Sequence, residues 1–175
     1  MADQRGFTLI DMLFVVGLIG LLSSLALPTL GRARGAAQAS SALATLRVIN
    51  SSQLSFAITC GSGFYSPDLQ TLGVRPPSGA EAFLPPDMAN AATIIRSGYS
   101  FTIAGTSLPG APATCNGLAQ GRAAPGYVAL ADPLDALALP RFFGTNADGL
   151  VYEHSATMNG IMPEAGTPAA GFPVK

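Results

Sequence analysis

The chain has 175 residues, of which 11% are charged, and its formal net charge is −1. This length is sufficient for one ordinary domain together with an anchoring segment. Because Arg32 and Arg34 are not part of a longer basic run, the charge pattern argues against a nucleic-acid-binding surface, and we expect no nucleic acid among the partners.

An apolar run near the N-terminus follows a short polar leader that ends at Gly6. From Phe7 to Leu27 the run covers 21 residues, so as a helix it is about 31 Å long, roughly the thickness of bilayer hydrocarbon. Its single carboxylate, Asp11, would cost about 2.5–3.5 kcal/mol near the membrane centre and less toward one end. A charge retained at this cost predicts a function for Asp11. The alternative is that Asp11 lies hydrated among the lipid headgroups.

The residues around this carboxylate form a recognisable motif. They read Gly6-Phe7-Thr8-Leu9-Ile10-Asp11-Met12-Leu13. The motif resembles the class III signal of type IV prepilins and type II secretion pseudopilins, although that family usually has glutamate in place of Asp11. The resemblance implies that prepilin peptidase cleaves between Gly6 and Phe7 and then N-methylates Phe7. It divides the chain into a leader (1–6), a transmembrane or filament-core helix (7–28), and the rest of the helix with a globular head (29–175).

The resemblance also implies a mode of assembly. The Asp11 carboxylate would neutralise the amino group of Phe7 on an adjacent subunit, so that two costly charges are buried as a pair. Before assembly we expect a single-pass protein in the inner membrane, with its head outside the cytoplasm and in contact with the assembly machinery there. Afterwards we expect it in a periplasmic or extracellular filament, as a homopolymer or a mixed polymer.

These implications favour a structural subunit of a type IV pilus or pilus-like filament. A type II secretion pseudopilin and an initiating, capping or adhesive minor pilin are the alternatives. For the N-terminus alone, an ordinary secretory signal peptide is a further alternative. Its apolar region usually covers about 7–15 residues, which is shorter than the run seen here, and no good small-x-small cleavage site follows.

The helix is expected to continue beyond Pro28 to about Ala57. Pro28 removes a backbone donor and crowds the carbonyl group of Ser24, so a helix break or kink is expected there. Helical spacing predicts a stripe packed against the head: Leu43, Leu46, Ile49, Asn50, Gln53, Leu54 and Phe56. The opposite, alanine-rich face is expected to suit subunit contacts: Ala33, Ala36, Ala37, Ser40, Ser41 and Ala44.

The predicted fold class is α+β and pilin-like, with a long N-terminal helix, membrane-spanning in its first half, packed on a small antiparallel β-sheet head. The helix should end near Cys60, where glycines break the pattern. A proline-rich connection with a short helix around residues 87–95 follows. Strands are predicted at 99–103 and 126–131, and a hairpin at 141–153. The resulting sheet of three or four strands is followed by an irregular tail over 160–175.

Two cysteines, Cys60 and Cys115, fall in the part that the resemblance places outside the cytoplasm. An even cysteine count in an oxidising compartment predicts one disulfide. It would close a loop of about 55 residues and contribute about 4 kcal/mol on the chain-entropy model. Two free thiols or half a metal site are the alternatives, and a single histidine, His154, gives the metal little support.

The sequence contains no nucleophile motif, HExxH, P-loop or dinucleotide fingerprint. We therefore expect no catalytic residue, no cofactor and no metal, with His154 at the surface. Four side chains offer oxygen ligands for calcium: Asp132, Asp135, Asn146 and Asp148. Their spacing matches no EF-hand loop, and turn chemistry explains the last two. A secreted or membrane-anchored enzyme is the remaining hypothesis, and it would require a pocket of converging polar groups in the head.

Overall fold

The computed structural model of the chain describes residues 8–79 and 81–174, without the side chains of residues 25–28. Two compact units are present, Met1–Ala37 and Gln38–Lys175, and the second is called the head below. The elements, in chain order, are α1 (Leu9–Thr59), α2 (Leu69–Leu72), a 3₁₀ turn (Pro86–Met88), β1 (Thr93–Arg96), β2 (Tyr99–Ala104), β3 (Val128–Pro133), β4 (Phe142–Asn146), β5 (Val151–His154) and β6 (Phe172–Pro173).

The helix α1 passes through Pro28 as one element, so the chain does not leave the helix at the predicted break. A kink near Ser24 stays a prediction. The Ser24 hydroxyl donates to the carbonyl oxygen of Leu21 at 2.8 Å, a bond typical of serine inside a helix. The predicted end near Cys60 is confirmed, because α1 ends at Thr59 and the chain then turns at Gly61. A side chain on Gly61 would collide with the carbonyl oxygen of Phe64.

The six strands form one antiparallel sheet in sequence order, larger than the three or four strands predicted. The predicted hairpin is confirmed as β4 and β5, and its turn contains Gly149 at a φ of 77°, a conformation that glycine adopts at little cost. The strand predicted at 126–131 lies two residues later, as β3. The tail is irregular as predicted, except for β6, which pairs with β5.

The short helix predicted around residues 87–95 is wrong. Only a single 3₁₀ turn forms at Pro86–Met88, and Thr93–Arg96 is the edge strand β1. Pairing with β2 decides the outcome: Ile94 lies opposite Phe101 and is buried, whereas Ile95 faces solvent. A strand that buries alternate residues against a partner is stabilised by cross-strand contacts that a short isolated helix lacks.

The main core of the head lies between the sheet and the second part of α1. The buried helix residues recur at helical spacing: Ala39, Ala42, Leu46, Ile49, Gln53 and Phe56. From the sheet, Tyr99, Phe101 and Ile103 point inward as the alternation of β2 predicts. The predicted stripe is therefore confirmed in its centre, but Leu54 is 54% exposed and lies outside it.

The opposite face of the sheet is covered by the tail. A second buried cluster consists of Leu130, Tyr152, Met158 and Met162. The tail packs closely because β4 has Gly144 here: a Cβ at this position would lie 3.0 Å from the sulfur of Met158. The side-chain nitrogen of Asn146 donates to the carbonyl oxygens of Pro163 and Gly166, which fixes the middle of the tail to β4.

Candidate functional site

The first turn of α1 is closed by Thr8 and Asp11. The Asp11 amide donates to the Thr8 hydroxyl at 3.3 Å, while Oδ2 of Asp11 accepts from the Thr8 amide at 3.1 Å and from the Thr8 hydroxyl at 2.7 Å. This reciprocal pattern is a capping box, which satisfies backbone donors that a helix start leaves open. The spacing Thr-x-x-Asp ahead of an apolar run signals such a cap, and our prediction for Asp11 did not include it.

Gly6 and Phe7, the predicted cleavage and methylation residues, lie outside the described residues. Cleavage, methylation and the pairing of Asp11 with an amino terminus therefore stay predictions. The structure places Asp11 in the first turn of α1, where a carboxylate interacts favourably with the positive end of the helix dipole.

The first part of α1 is apolar and uncovered. Every described side chain from Thr8 to Ser24 is exposed, including Leu9, Phe14 and Leu22. A window of 18 residues in α1 has a mean hydropathy of 2.3, so by length and composition this helix is able to cross a bilayer. A continuous apolar surface of this size is typical of a site that contacts a membrane or another protein.

Within the head, one face of α1 is left uncovered by the sheet. This uncovered stripe consists of exposed residues that follow each other at helical spacing: Ser40, Ala44, Arg47, Val48, Ser51, Leu54, Ser55 and Ile58. Four of the eight are small, namely Ser40, Ala44, Ser51 and Ser55, and Leu54 and Ile58 add large apolar side chains that are 54% and 73% exposed. Small residues allow another helix to approach closely.

The alanine-rich face predicted from the sequence is largely exposed. Ala33, Ala36, Ala37, Ser40 and Ala44 are open to solvent. Ser41 is the exception, since it is partly buried and its hydroxyl lies 2.8 Å from that of Ser97, in the turn between β1 and β2.

The predicted disulfide between Cys60 and Cys115 is present, with the two Cα atoms 4.9 Å apart and 55 positions between them in sequence. The Cys115 amide also donates to the carbonyl oxygen of Cys60 at 3.2 Å. The bridge therefore ties the end of α1 to the segment between β2 and β3. Next to it, the Asn116 side chain donates to the carbonyl oxygen of Thr71 at 2.7 Å, which fixes the end of α2 to the same segment.

The four possible calcium ligands do not converge. Oδ2 of Asp132 accepts from Thr157, Oδ1 of Asp135 accepts backbone amides of its own turn, and Asp148 accepts from the amide of Gly166 in the tail. Burial raises the pKa of Asp132, an effect that the hydrogen bond from Thr157 partly offsets. In residues 8–79 and 81–174, no group of three or more His, Cys, Asp or Glu side chains is arranged to hold a metal ion.

His154 is partly buried at the end of β5, and its ring is engaged by the backbone of Ala156. Nearby, Arg141 and Glu153 form a two-point ion pair with both distances at 2.6 Å. This hydrogen bonding lowers the pKa of Glu153 and raises that of Arg141. The Arg141 guanidinium also lies 5.2 Å from the centre of the Phe143 ring, so the ion pair packs against an aromatic side chain of the head.

Comparison with protein-family models, with curated proteins and with solved structures finds no match to this chain. Any assignment of function therefore depends on the N-terminal motif and on the geometry described above.

Proposed function

We propose that this protein is a structural subunit of a type IV pilus or pilus-like filament, which prepilin peptidase processes between Gly6 and Phe7 and which polymerises through its N-terminal helix. The proposal depends above all on the difference between the two parts of α1. Its first part is apolar and uncovered, and its second part supports the head on one face while the other face stays open.

An uncovered apolar helix of this length is compatible with two successive environments, the lipid bilayer before assembly and the filament core afterwards. In the inner membrane, lipid covers it while the head lies outside the cytoplasm. In a filament, the same segment of neighbouring copies replaces the lipid, and Gly17 and Gly20 favour this exchange. Nothing lies within 4 Å of a Cβ placed at either glycine, so another helix has room to approach. The small residues of the uncovered stripe extend the same kind of surface into the head.

The cap at the start of α1 is compatible with pairing between subunits. The hydrogen bonds from Thr8 fall on Oδ2 of Asp11, so within the described part of the chain Oδ1 keeps its lone pairs for the methylated amino group of Phe7 on an adjacent copy. Buried opposite charges are tolerated best when the remaining lone pairs are also satisfied. Asp11 would then fix both its own helix start and the axial position of the neighbour.

The processing step is tested by N-terminal peptide mass spectrometry on sheared filaments and on membranes from the native host. A chain that starts at methylated Phe7 and is abundant in sheared filaments is the expected result. The same mature chain found in membranes alone would instead favour a pseudopilin or a minor pilin. A chain that starts near Thr29, or that keeps Met1, would refute the prepilin assignment.

The pairing step is tested by Asp11→Ala and Asp11→Asn. Asparagine keeps an oxygen that accepts from Thr8 but removes the charge, so it separates pairing from capping. We expect both variants to insert into the membrane and neither to form filaments. Asp11→Glu, which restores the carboxylate, is the matched control and should assemble. Normal filament yield from Asp11→Asn, measured by shearing and immunoblotting, would contradict the pairing.

A further inference from the structure

The loop between β3 and β4 presents an apolar knob to solvent. Leu134 is 58% exposed and Leu137 is 97% exposed, with the small residues Ala136 and Ala138 beside them. Leu137 is the most exposed of the large apolar side chains in the described part of the head. A side chain this open gains free energy from any apolar pocket that accepts it.

The knob is held in place by hydrogen bonds within the head. The Leu134 amide donates to the carbonyl oxygen of Gly98 at 2.9 Å, and the Leu139 amide donates to the carbonyl oxygen of Asp135 at 2.9 Å. Oδ1 of Asp135 accepts from the amides of Leu137 and Ala138 at 3.0 and 3.3 Å. The loop therefore loses little conformational entropy on binding, and the amides of Leu134, Leu137, Ala138 and Leu139 already have acceptors when water is excluded.

A groove on the head is suited to receive an apolar side chain. It has a volume of about 410 Å³ and lies between α1, two tyrosines and the turn after β4. The rings of Tyr65 and Tyr127 stand 5.1 Å apart, and the Tyr127 hydroxyl donates to Oδ1 of Asn50 at 2.9 Å. The side-chain nitrogen of Asn50 donates in turn to the carbonyl oxygen of Gly149 at 3.0 Å. Tyr127, Asn50 and Gly149 are thus paired with each other in the groove, which Arg47 and Leu54 from the uncovered stripe also line.

The knob and the groove lie at opposite ends of the head. The knob follows the end of β3, where Gly98 stands close to Gln38 at the point at which α1 enters the head. The groove lies beside Asn50 and the β4–β5 turn, at the other end of the strands. Measured along α1, Gln38 near the knob and Asn50 near the groove are about 18 Å apart at 1.5 Å per residue.

We propose that the Leu137 knob of one copy docks into the Tyr65–Tyr127 groove of the next copy in the filament. The inference rests on the proposed function, because it describes a contact between polymerised heads. Complementary surfaces at opposite ends of one molecule form a head-to-tail contact, which builds an open filament when the rotation between successive copies does not close a ring. Asp135 accompanies the knob, and Arg47 at the groove is the cation that it would face. Asp148 also lines the groove, and its carboxylate accepts from the amide of Gly166 in the tail.

The contact is tested by cysteine cross-linking in full-length chains co-expressed in the native host. One chain carries Leu137→Cys and the other carries Ser51→Cys, each with its own Cys60–Cys115 bridge intact. A disulfide requires Cβ atoms about 3.5–4.5 Å apart, so oxidation of sheared filaments should give a dimer when both variants are present and none with either alone. The matched control pairs Leu137→Cys with Gln120→Cys, an exposed position away from the groove.

The energetic role of the knob is tested by Leu137→Asp against Leu108→Asp, which alters another exposed leucine. Loss of a residue at the centre of an interface costs more than about 1.4 kcal/mol of binding free energy, which corresponds to a factor of about ten in affinity. The filament yield of the Leu137 variant should therefore be at least about tenfold lower than that of the wild type. The Leu108 variant should assemble normally, and an absence of free thiol in both shows that the head has folded.

The outcomes separate the two proposals. Filaments of processed chain that show no Leu137–Ser51 dimer, or normal assembly of Leu137→Asp, would overturn the docking while leaving the pilin assignment intact. A processed chain that never enters filaments in any variant would overturn both.

Discussion

Gln53 fastens α1 to the connection that follows it. The side chain is fully buried, its nitrogen Nε2 donates to the carbonyl oxygen of Ser66, and its oxygen Oε1 accepts from the amide of Ser66, with both distances at 2.9 Å. Gln53→Leu keeps the approximate size of the side chain but removes both partners. A buried amide and a buried carbonyl group are then left without hydrogen bonds.

The expected loss of stability follows from the unpaired amide and carbonyl group of Ser66. Each unsatisfied buried polar group costs about 1–3 kcal/mol, while burial of a leucine side chain returns about 1.5–3 kcal/mol. We therefore expect Gln53→Leu to lower the free energy of unfolding by about 2 kcal/mol. At about 2.1 cal/mol/K per residue over the head, this loss corresponds to a decrease of about 7 °C in Tm.

The assay is thermal unfolding of the full chain in detergent micelles, followed by near-ultraviolet circular dichroism. The chain has four tyrosines and no tryptophan, and all four tyrosines lie in the head, so the tyrosine signal reports on the head. Gln70→Leu, at an exposed position on α2, is the matched control and should change stability by no more than about 0.5 kcal/mol. Equal effects of the two substitutions would refute the reasoning.

Gln53→Glu gives an independent check through pH. The glutamate oxygen still accepts from the Ser66 amide, but an ionised carboxylate cannot donate to the carbonyl oxygen of Ser66. Burial should raise the pKa of the new carboxyl group in the folded state. A raised folded pKa means that stability is highest at low pH and is lost as the pH rises through that value. The Gln53→Glu variant should therefore approach the wild type on acidification, and a constant deficit would contradict this.

The remaining predictions concern stability of the head. The Tyr99 hydroxyl is buried without a hydrogen-bond partner in the described part of the chain, so Tyr99→Phe should leave the free energy of unfolding unchanged or raise it by about 1 kcal/mol; a clear loss in urea unfolding would reveal a partner. Arg141 lowers the pKa of Glu153, so the ion pair contributes above the unfolded pKa of glutamate, about 4.3, and its contribution is lost as the pH falls through the folded value. Glu153→Gln should therefore cost about 1 kcal/mol at pH 7, since both side chains are partly exposed, and almost nothing near pH 2; an equal cost at both pH values would argue against the pair. Replacing Cys60 and Cys115 by alanine should lower stability by about 4 kcal/mol, and an unchanged Tm would reject the estimate.

Local signals in the sequence account for much of the head. The helix end at Thr59, the inward alternation of β2 and the turn at Gly149 were all predicted, because each depends on a few neighbouring residues. The strand β1 was missed although Ser97-Gly98 is a turn dipeptide in the sequence. In the structure both residues have positive φ, as in a tight two-residue hairpin. Adjacent isoleucines in β1 obscured the alternation, and only the pairing with β2 decides which one is buried.

The candidate assembly surfaces were predictable to different degrees. The disulfide followed from cysteine count and compartment. The cap between Thr8 and Asp11 is predictable from the spacing Thr-x-x-Asp ahead of an apolar run. The exposure of Leu137 was not predictable, because it depends on the position of the β3–β4 loop relative to Gly98, which lies far away in sequence.

The tail described above has a consequence for biosynthesis. The amide of Val174 donates to the carbonyl oxygen of Val151, and β6 pairs with β5 immediately before it. The sheet therefore gains its last strand only from Phe172–Pro173. Under the proposed function, residues up to 174 would have to cross the membrane before the head could close, after the apolar segment of α1 had entered the bilayer. During that interval the chain would be anchored in the membrane while its head is not yet folded. Proteases and chaperones could then reach the head.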